Sequence, residues 1–336
     1  MKIALITPAA AHQRTGNRKT AQRWAQFLRQ AGHDVTIQVV WDQQSADLMI
    51  ALHARRSHAS IEAFGARHPD RALIVVLTGT DLYRDIRSDP RAKDSLERAT
   101  DLVVLQERGL DELSSGLCNK AHVIYQSAST RVHPSPSKTR FEVCVIGHLR
   151  DEKDPFRAAW ASQQLPAASR LRVSHIGAAL QEGTDLQARA LEHTCPRYRW
   201  LGELPHWAAL RRLSHAQLLV VSSVMEGGAN VICEAVTLDV PVIASRVPGN
   251  VGMLGRQYEG YYDWGDTQQL AVLLHRAETD PRFLARLRSQ CARRKPMFSP
   301  ERERSSVARL VVEAAGRCLK CSTGARVPRT PAEPAA

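Results

Sequence analysis

No stretch of this chain approaches the roughly 18 uninterrupted apolar residues that a membrane-spanning helix requires, so a helical membrane span is excluded. Aromatic residues are scarce, at 5% of 336 positions. Cysteine is neither abundant nor paired: Cys118, Cys144, Cys195, Cys233, Cys291, Cys318 and Cys321 are scattered and odd in number. That excludes a disulfide framework and fits a reducing compartment, so a cytoplasmic location is expected. Cys318 and Cys321 have C-x-x-C spacing but no second ligand pair nearby, and they read as incidental thiols. There is no Asp-x-Asp and no His/Cys cluster with ligand spacing, so no metal and no cofactor is expected. Extensive disorder is excluded too, because 43% hydrophobic and 24% charged residues are ordinary for a globular chain.

What is present is charge of one sign, unevenly placed. The formal net charge is +12. Between Arg282 and Arg329 there are 13 basic and 3 acidic residues, so this stretch carries +10 of it. A basic chain raises the question of nucleic acid, but Phe283 and Phe298 are the only aromatics in the run and provide no stacking platform. A pair of solvated helices followed by a tail is the expected reading, with attraction to an anionic membrane surface next. Neither a nucleic-acid partner nor stable membrane insertion is expected. Residues 320–336 end in a Pro- and Ala-rich segment and are expected to form a disordered tail.

At 336 residues, two domains are expected, since one domain usually takes about 100–200. The opening run Met1–Pro8 is too short for a signal-peptide core and reads as a buried first strand. Short apolar runs then alternate with amphipathic stretches in two series. The first has runs at Ile3–Pro8, Val35–Val40, Asp47–His53, Ala72–Thr78, Asp101–Gln106 and His122–Gln126. Its clearest helix is Arg18–Ala31, with Ala21, Trp24, Phe27 and Leu28 on one face and Gly32 placed to stop it. A Pro- and basic-rich linker, Thr130–Arg140, separates the series. The second has runs at Val143–Gly147, Leu171–Ile176, Arg199–Leu201, Leu218–Ser222, Pro241–Ala244 and Gly260–Tyr262. Alternation of this kind implies an α/β chain with two open, doubly wound parallel sheets and a cleft between them. The expected division is residues 1–132 and 140–296. A last amphipathic helix at about 299–316, with Val307, Leu310, Val311 and Ala314 on one side, is placed after the second domain.

The chemistry concentrates in Ser222-Ser-Val-Met-Glu226-Gly-Gly-Ala-Asn-Val-Ile-Cys-Glu234-Ala. A strand ends at the serines, a Gly-rich turn follows, and a helix opens near Ala229. Its first N–H groups and positive dipole end make an anion site. Glu226 in the loop and Glu234 two turns along the helix can line one pocket, where a carboxylate accepts hydrogen bonds from sugar hydroxyls. His12 and His175 read as structural or exposed.

E-x7-E followed by Pro241-Val-Ile-Ala-Ser245 resembles glycosyltransferase family 4, a GT-B family of two Rossmann-like domains that uses sugar nucleotides. The resemblance implies that Glu226 and Glu234 are the family's two glutamates, and that the last helix, about 299–316, packs back on the first domain. It also implies that Gly147-His-Leu-Arg-Asp-Glu-Lys153 is its phosphate loop, with Lys153 on the diphosphate. The family usually carries Arg directly after that glycine; here His148 stands there and Arg150 is the substitute. The implied donor wall is therefore Gly147, His148, Arg150, Lys153, Glu226, Gly227, Gly228, Ala229, Asn230 and Glu234.

A narrower resemblance runs to about residue 316. It is carried by GNR at Gly16–Arg18, ALHARRS at Ala51–Ser57, LTGTDLY at Leu77–Tyr83, VVLQ at Val103–Gln106 and IYQS at Ile124–Ser127. GHLRDEKDP, YRWLGELPH, MEGGANVICEA and SRVPGNVGMLG follow in order. Together they are similar to the selenosugar synthases of selenoneine biosynthesis. That resemblance implies UDP-N-acetylglucosamine and selenophosphate as substrates, and UDP-sugar as a co-substrate rather than a cofactor. It also implies an acceptor wall at the first domain's strand ends: Gly16, Asn17, Arg18, His53, Arg56, Thr80 and Asp81. Glu226, Arg150, Lys153 and His53 are the expected catalytic residues. The alternatives are an ordinary family member acting on a lipid or polysaccharide, and a non-catalytic basic protein binding nucleic acid or a membrane surface. The first would be expected to show exposed apolar and aromatic residues in its N-terminal domain; the second leaves E-x7-E unexplained.

Overall fold

A computed structural model describes residues 1–11, 15–129 and 132–324, with side chains through Cys318. The expectation about His12 lies outside the described residues. Six strands build the first sheet: β1 (Lys2–Ile6), β2 (Asp34–Gln38), β3 (Leu48–Leu52), β4 (Ala72–Leu77), β5 (Asp101–Val104) and β6 (Ala121–Val123). Six more build the second: β7 (Phe141–Ile146), β8 (Leu171–Ile176), β9 (Tyr198–Trp200), β10 (Leu218–Val221), β11 (Val242–Ser245) and β12 (Tyr261–Tyr262). Each begins within a few residues of an apolar run. β4 buries all six of its residues, as a continuous apolar run in a two-sided sheet should.

All strand pairs are parallel. The second sheet has the order β12-β11-β10-β7-β8-β9, the usual dinucleotide-binding arrangement. The first has β2-β1-β3-β4-β5-β6, the other common doubly wound order. Ligands in such sheets sit beyond the strand C-termini where the order reverses. These points are β1/β3 in the first sheet and β7/β10 in the second.

Helices cover both faces of each sheet. The first helix, Gly16–Gln30, buries Ala21, Trp24, Ala25 and Leu28 against the first sheet. Thr15 caps it by accepting the Arg18 N–H at 3.4 Å. The final helix, Pro300–Gly324, returns to the first domain, where Val307, Leu310, Val311 and Ala314 join a cluster with Ile3, Leu5 and Trp24. It runs past the expected end at 316 and converts residues 320–324 of the expected tail into helix; residues 325–336 lie outside the described ones. Among the described residues no helix is long and apolar enough to cross a membrane.

Glu303 on this last helix is 1% exposed. It accepts from Arg23 Nε at 2.7 Å and Nη2 at 3.0 Å, Trp24 Nε1 at 2.7 Å, Ser127 N at 2.8 Å and Ser127 Oγ at 2.5 Å. Nothing in the local pattern of residues 300–306 announces this buried hub; its partners come from sequence positions 176 to 280 residues away.

Candidate active site

The two switch points face each other across a cleft of about 960 Å³. On the second domain's side, the loop after β7 carries Gly147, His148, Arg150 and Lys153, and the turn after β10 carries Glu226 to Asn230. Buried His175 shapes the first loop. Its Nε2 donates to the Gly147 carbonyl at 3.0 Å while Nδ1 accepts from the Tyr198 hydroxyl at 3.0 Å. Burial pushes this imidazole down to about 4, so it is neutral near pH 7. Gly177 lies beneath, where a Cβ would fall 2.0 Å from the Gly147 carbonyl oxygen. His175 thus has a structural role: it fixes the loop after β7.

Lys153 Nζ donates to Glu226 Oε1 at 2.5 Å, and Ser223 Oγ donates to the same oxygen at 2.5 Å. Glu226 is 7% exposed, so this carboxylate is held rather than free to sweep the cleft. The helix Asn230–Thr237 begins after Ala229, which supplies no side-chain cap, and its first turn has no acidic residue. The Ile232 N–H bonds back to the Ala229 carbonyl at 2.9 Å, while the uncapped start of the helix and its positive dipole end suit an anion. His148 Nδ1 accepts the Ala178 N–H at 3.1 Å, which ties the loop after β7 to the loop after β8. Arg150 differs: its Nε is buried and has no protein partner.

Glu234 is 7% exposed and its Oε1 accepts from His206 Nε2 at 2.8 Å and Lys19 Nζ at 3.4 Å. Burial raises the carboxyl pKa, but the His206 hydrogen bond and the Lys19 charge outweigh it and hold the group below the usual range. Lys19 belongs to the first helix of the other domain, so this ion pair bridges the cleft.

On the first domain's side, Gly16, Asn17, Arg18, His53, Arg56 and Thr80 all line the cleft. Arg18 Nε, like that of Arg150, is buried without a protein partner. His53 sits at φ +74° and is 2% exposed. Its Nδ1 faces the Arg56 N–H at 3.4 Å and its Nε2 meets Thr80 Oγ1 at 3.0 Å. Burial pushes its pKa down, against the pull of Asp81. A neutral ring with its proton on Nε2 satisfies both contacts, so His53 positions Thr80 and is not a free base. Asp81, expected as an acceptor ligand, is absent from the cleft wall. It is fully buried, and its carboxylate accepts from Thr78 N and Gly79 N at 2.9 Å and from Ala54 N at 3.0 Å. Three backbone donors make it the staple of the β3 and β4 loops.

The domains approach closely here. A Cβ on Gly227 would come 2.4 Å from the Thr78 carbonyl oxygen, so only glycine permits this contact. Motif reading missed Lys19, one residue beyond Gly16-Asn-Arg18, and His206, the last residue of YRWLGELPH. Both were adjacent to or inside quoted motifs, but their common partner Glu234 becomes visible only once the domains face each other.

Residues 127–295 match the glycosyl transferases group 1 family. The chain is 23% identical over 325 residues to glycosyltransferase 1 domain-containing protein 1 of Xenopus tropicalis, covering 87% of this chain and 92% of that one. Among solved structures it is similar to Anabaena HepE in complex with UDP and glucose (TM-score 0.72, 15% identity, 94% of this chain and 100% of the other). It is also similar to the sucrose-phosphate synthase of Thermosynechococcus elongatus (TM-score 0.72, 16% identity, 97% and 100%). Two parallel six-stranded sheets, a cleft at their switch points and the family match over half the chain lead to one assignment: this is a GT-B glycosyltransferase of the group 1 family.

Proposed function

We propose that the chain transfers N-acetylglucosamine from its UDP ester to the selenium of selenophosphate, releasing UDP. The observation that carries this reading is a pair of buried guanidinium Nε groups without protein partners, Arg18 on one wall and Arg150 on the other. Each suits an oxyanion, and guanidinium binds phosphate in two-point geometry. A donor diphosphate accounts for Arg150, Lys153 and the open helix start at Asn230. A second, small anion accounts for Arg18 with Arg56 and the first helix's N-terminus, whose first turn contains no acidic residue. The motifs shared with selenosugar synthases support selenophosphate as that anion, and HepE's complex with UDP and glucose supports a UDP-sugar as the donor.

In this reading selenium attacks the anomeric carbon, the C–O bond to UDP breaks, and its electron pair leaves on the diphosphate. An ionised selenium nucleophile needs no strong general base, which agrees with His53 being neutral and committed to Thr80. Catalysis then rests on positioning and on neutralising the leaving group. Glu234 holds the ribose hydroxyls, Glu226 reaches the sugar, and Gly227 and Gly228 let the backbone approach it. The site needs no metal or other cofactor, and the protein works in the cytoplasm. The test is UDP release from UDP-N-acetylglucosamine with selenophosphate, inorganic phosphate and a lipid or glycan acceptor in parallel. Release only with selenophosphate is the expected result; release only with the lipid or glycan overturns it.

A further inference from the structure

Gln126 follows β6, is 1% exposed and lines the cleft. Its Nε2 donates to Thr20 Oγ1 on the first helix. The Thr20 hydroxyl gives its one proton to the Gly16 carbonyl oxygen at 3.0 Å. Thr20 can therefore only accept from the amide, and this settles which way the amide points: nitrogen to the helix, oxygen away from it. Gln126 Oε1 is buried and has no protein partner. It lies beside the glycine-rich turn, since a Cβ on Gly228 would stand 3.5 Å from it.

Buried polar atoms are almost always matched, and this one is an acceptor. Its polarity is opposite to that of the other unmatched groups on the cleft wall, Arg18 Nε and Arg150 Nε, which are donors. Phosphate-type oxygens would be repelled by an amide oxygen. A neutral group with a proton to give is the fitting ligand, and within a UDP-sugar the sugar hydroxyls, an acetamido N–H and the nucleoside supply one. The nucleoside is excluded by position: Gln126 comes from the first domain, against the Glu226–Gly228 turn that meets the sugar end of the donor.

We propose that Gln126 is a specificity residue for the transferred sugar, accepting a hydrogen bond from a ring hydroxyl or the acetamido N–H. Thr20 holds it in register. This rests on the proposed function in that the cleft must bind a UDP-sugar.

The experiment is calorimetry on the full chain and on Gln126→Leu and Gln126→Met, both close to glutamine in size, with UDP and with UDP-N-acetylglucosamine. Both variants should bind UDP within twofold of the parent and UDP-N-acetylglucosamine about tenfold more weakly, the scale of one lost hydrogen bond. A set of sugar-deoxyfluoro UDP-sugars should show one position whose fluorination weakens binding to the parent and leaves the variants unaffected. Equal loss for UDP and UDP-sugar, or no loss for either, overturns the assignment while leaving the glycosyltransferase reading intact. A parent chain that binds neither ligand overturns both.

Discussion

Lys153 Nζ lies 2.5 Å from Glu226 Oε1, which ties the loop after β7 to the turn after β10 across the second domain's switch point. In the proposed reaction this lysine neutralises charge on the leaving diphosphate. Lys153→Met is expected to lower kcat about 10²-fold, the usual scale for removing one preorganised charge-stabilising donor. Steady-state kinetics at saturating UDP-sugar decides it; a normal kcat would reduce the pair to a structural clamp.

Glu234→Ala is expected to weaken UDP binding by about 1.5–3 kcal/mol, the value of a hydrogen bond to a charged group. Calorimetry with UDP alone measures this. The carboxylate also bridges His206 and Lys19, so thermal melts must accompany the titration. Unchanged UDP affinity would remove Glu234 from the ribose.

Arg18→Lys and Arg56→Lys should each raise the apparent Michaelis constant for selenophosphate and leave UDP affinity alone. Lysine keeps the charge but cannot copy two-point guanidinium geometry. Kinetics on both substrates separate the walls: loss of UDP affinity with selenophosphate kinetics intact would place these arginines on the donor side.

His175 predicts a pH dependence of stability. Its folded pKa is about 4, against roughly 6.5 unfolded. Between those values the unfolded chain holds a proton that the folded chain does not, so stability falls as pH drops through this window. From pH 7 to 5 the loss from this group is roughly 2 kcal/mol. His53 is depressed in the same direction by burial and adds to the slope. Urea unfolding at the two pH values should show a shallower dependence for His175→Gln; identical slopes would mean that the imidazole is not the titrating group.

Glu303→Ala should cost about 3–5 kcal/mol, the scale for leaving one member of a buried ion pair unmatched, because it strands Arg23 and Trp24. Removing everything from Ser299 should destabilise the first domain further by uncovering Val307, Leu310, Val311 and Ala314's seat in its core. A parent-like urea midpoint for either would contradict the last helix's anchoring role.

Strand positions were readable because β3, β4, β10 and β11 are buried on both faces and appear as unbroken apolar runs. The neighbour order of the first sheet was not, since periodicity marks strands without saying which lie side by side. The cleft residues were readable where they follow strand ends in motifs. Asp81 was misplaced because an acidic residue in a strand-end turn looks alike whether it faces a ligand or three backbone N–H groups. Lys19 with Glu234, Arg23 with Glu303 and Gln126 with Thr20 are pairs more than 100 residues apart, and no local pattern relates their members.

The most direct measurement is mass spectrometry of the protein mixed with UDP-N-acetylglucosamine and selenophosphate. The expected product is a selenium-bearing N-acetylglucosamine, recognisable by the element's isotope pattern, formed in step with UDP. Intact UDP-N-acetylglucosamine, or UDP released with only selenium-free sugar, would contradict it.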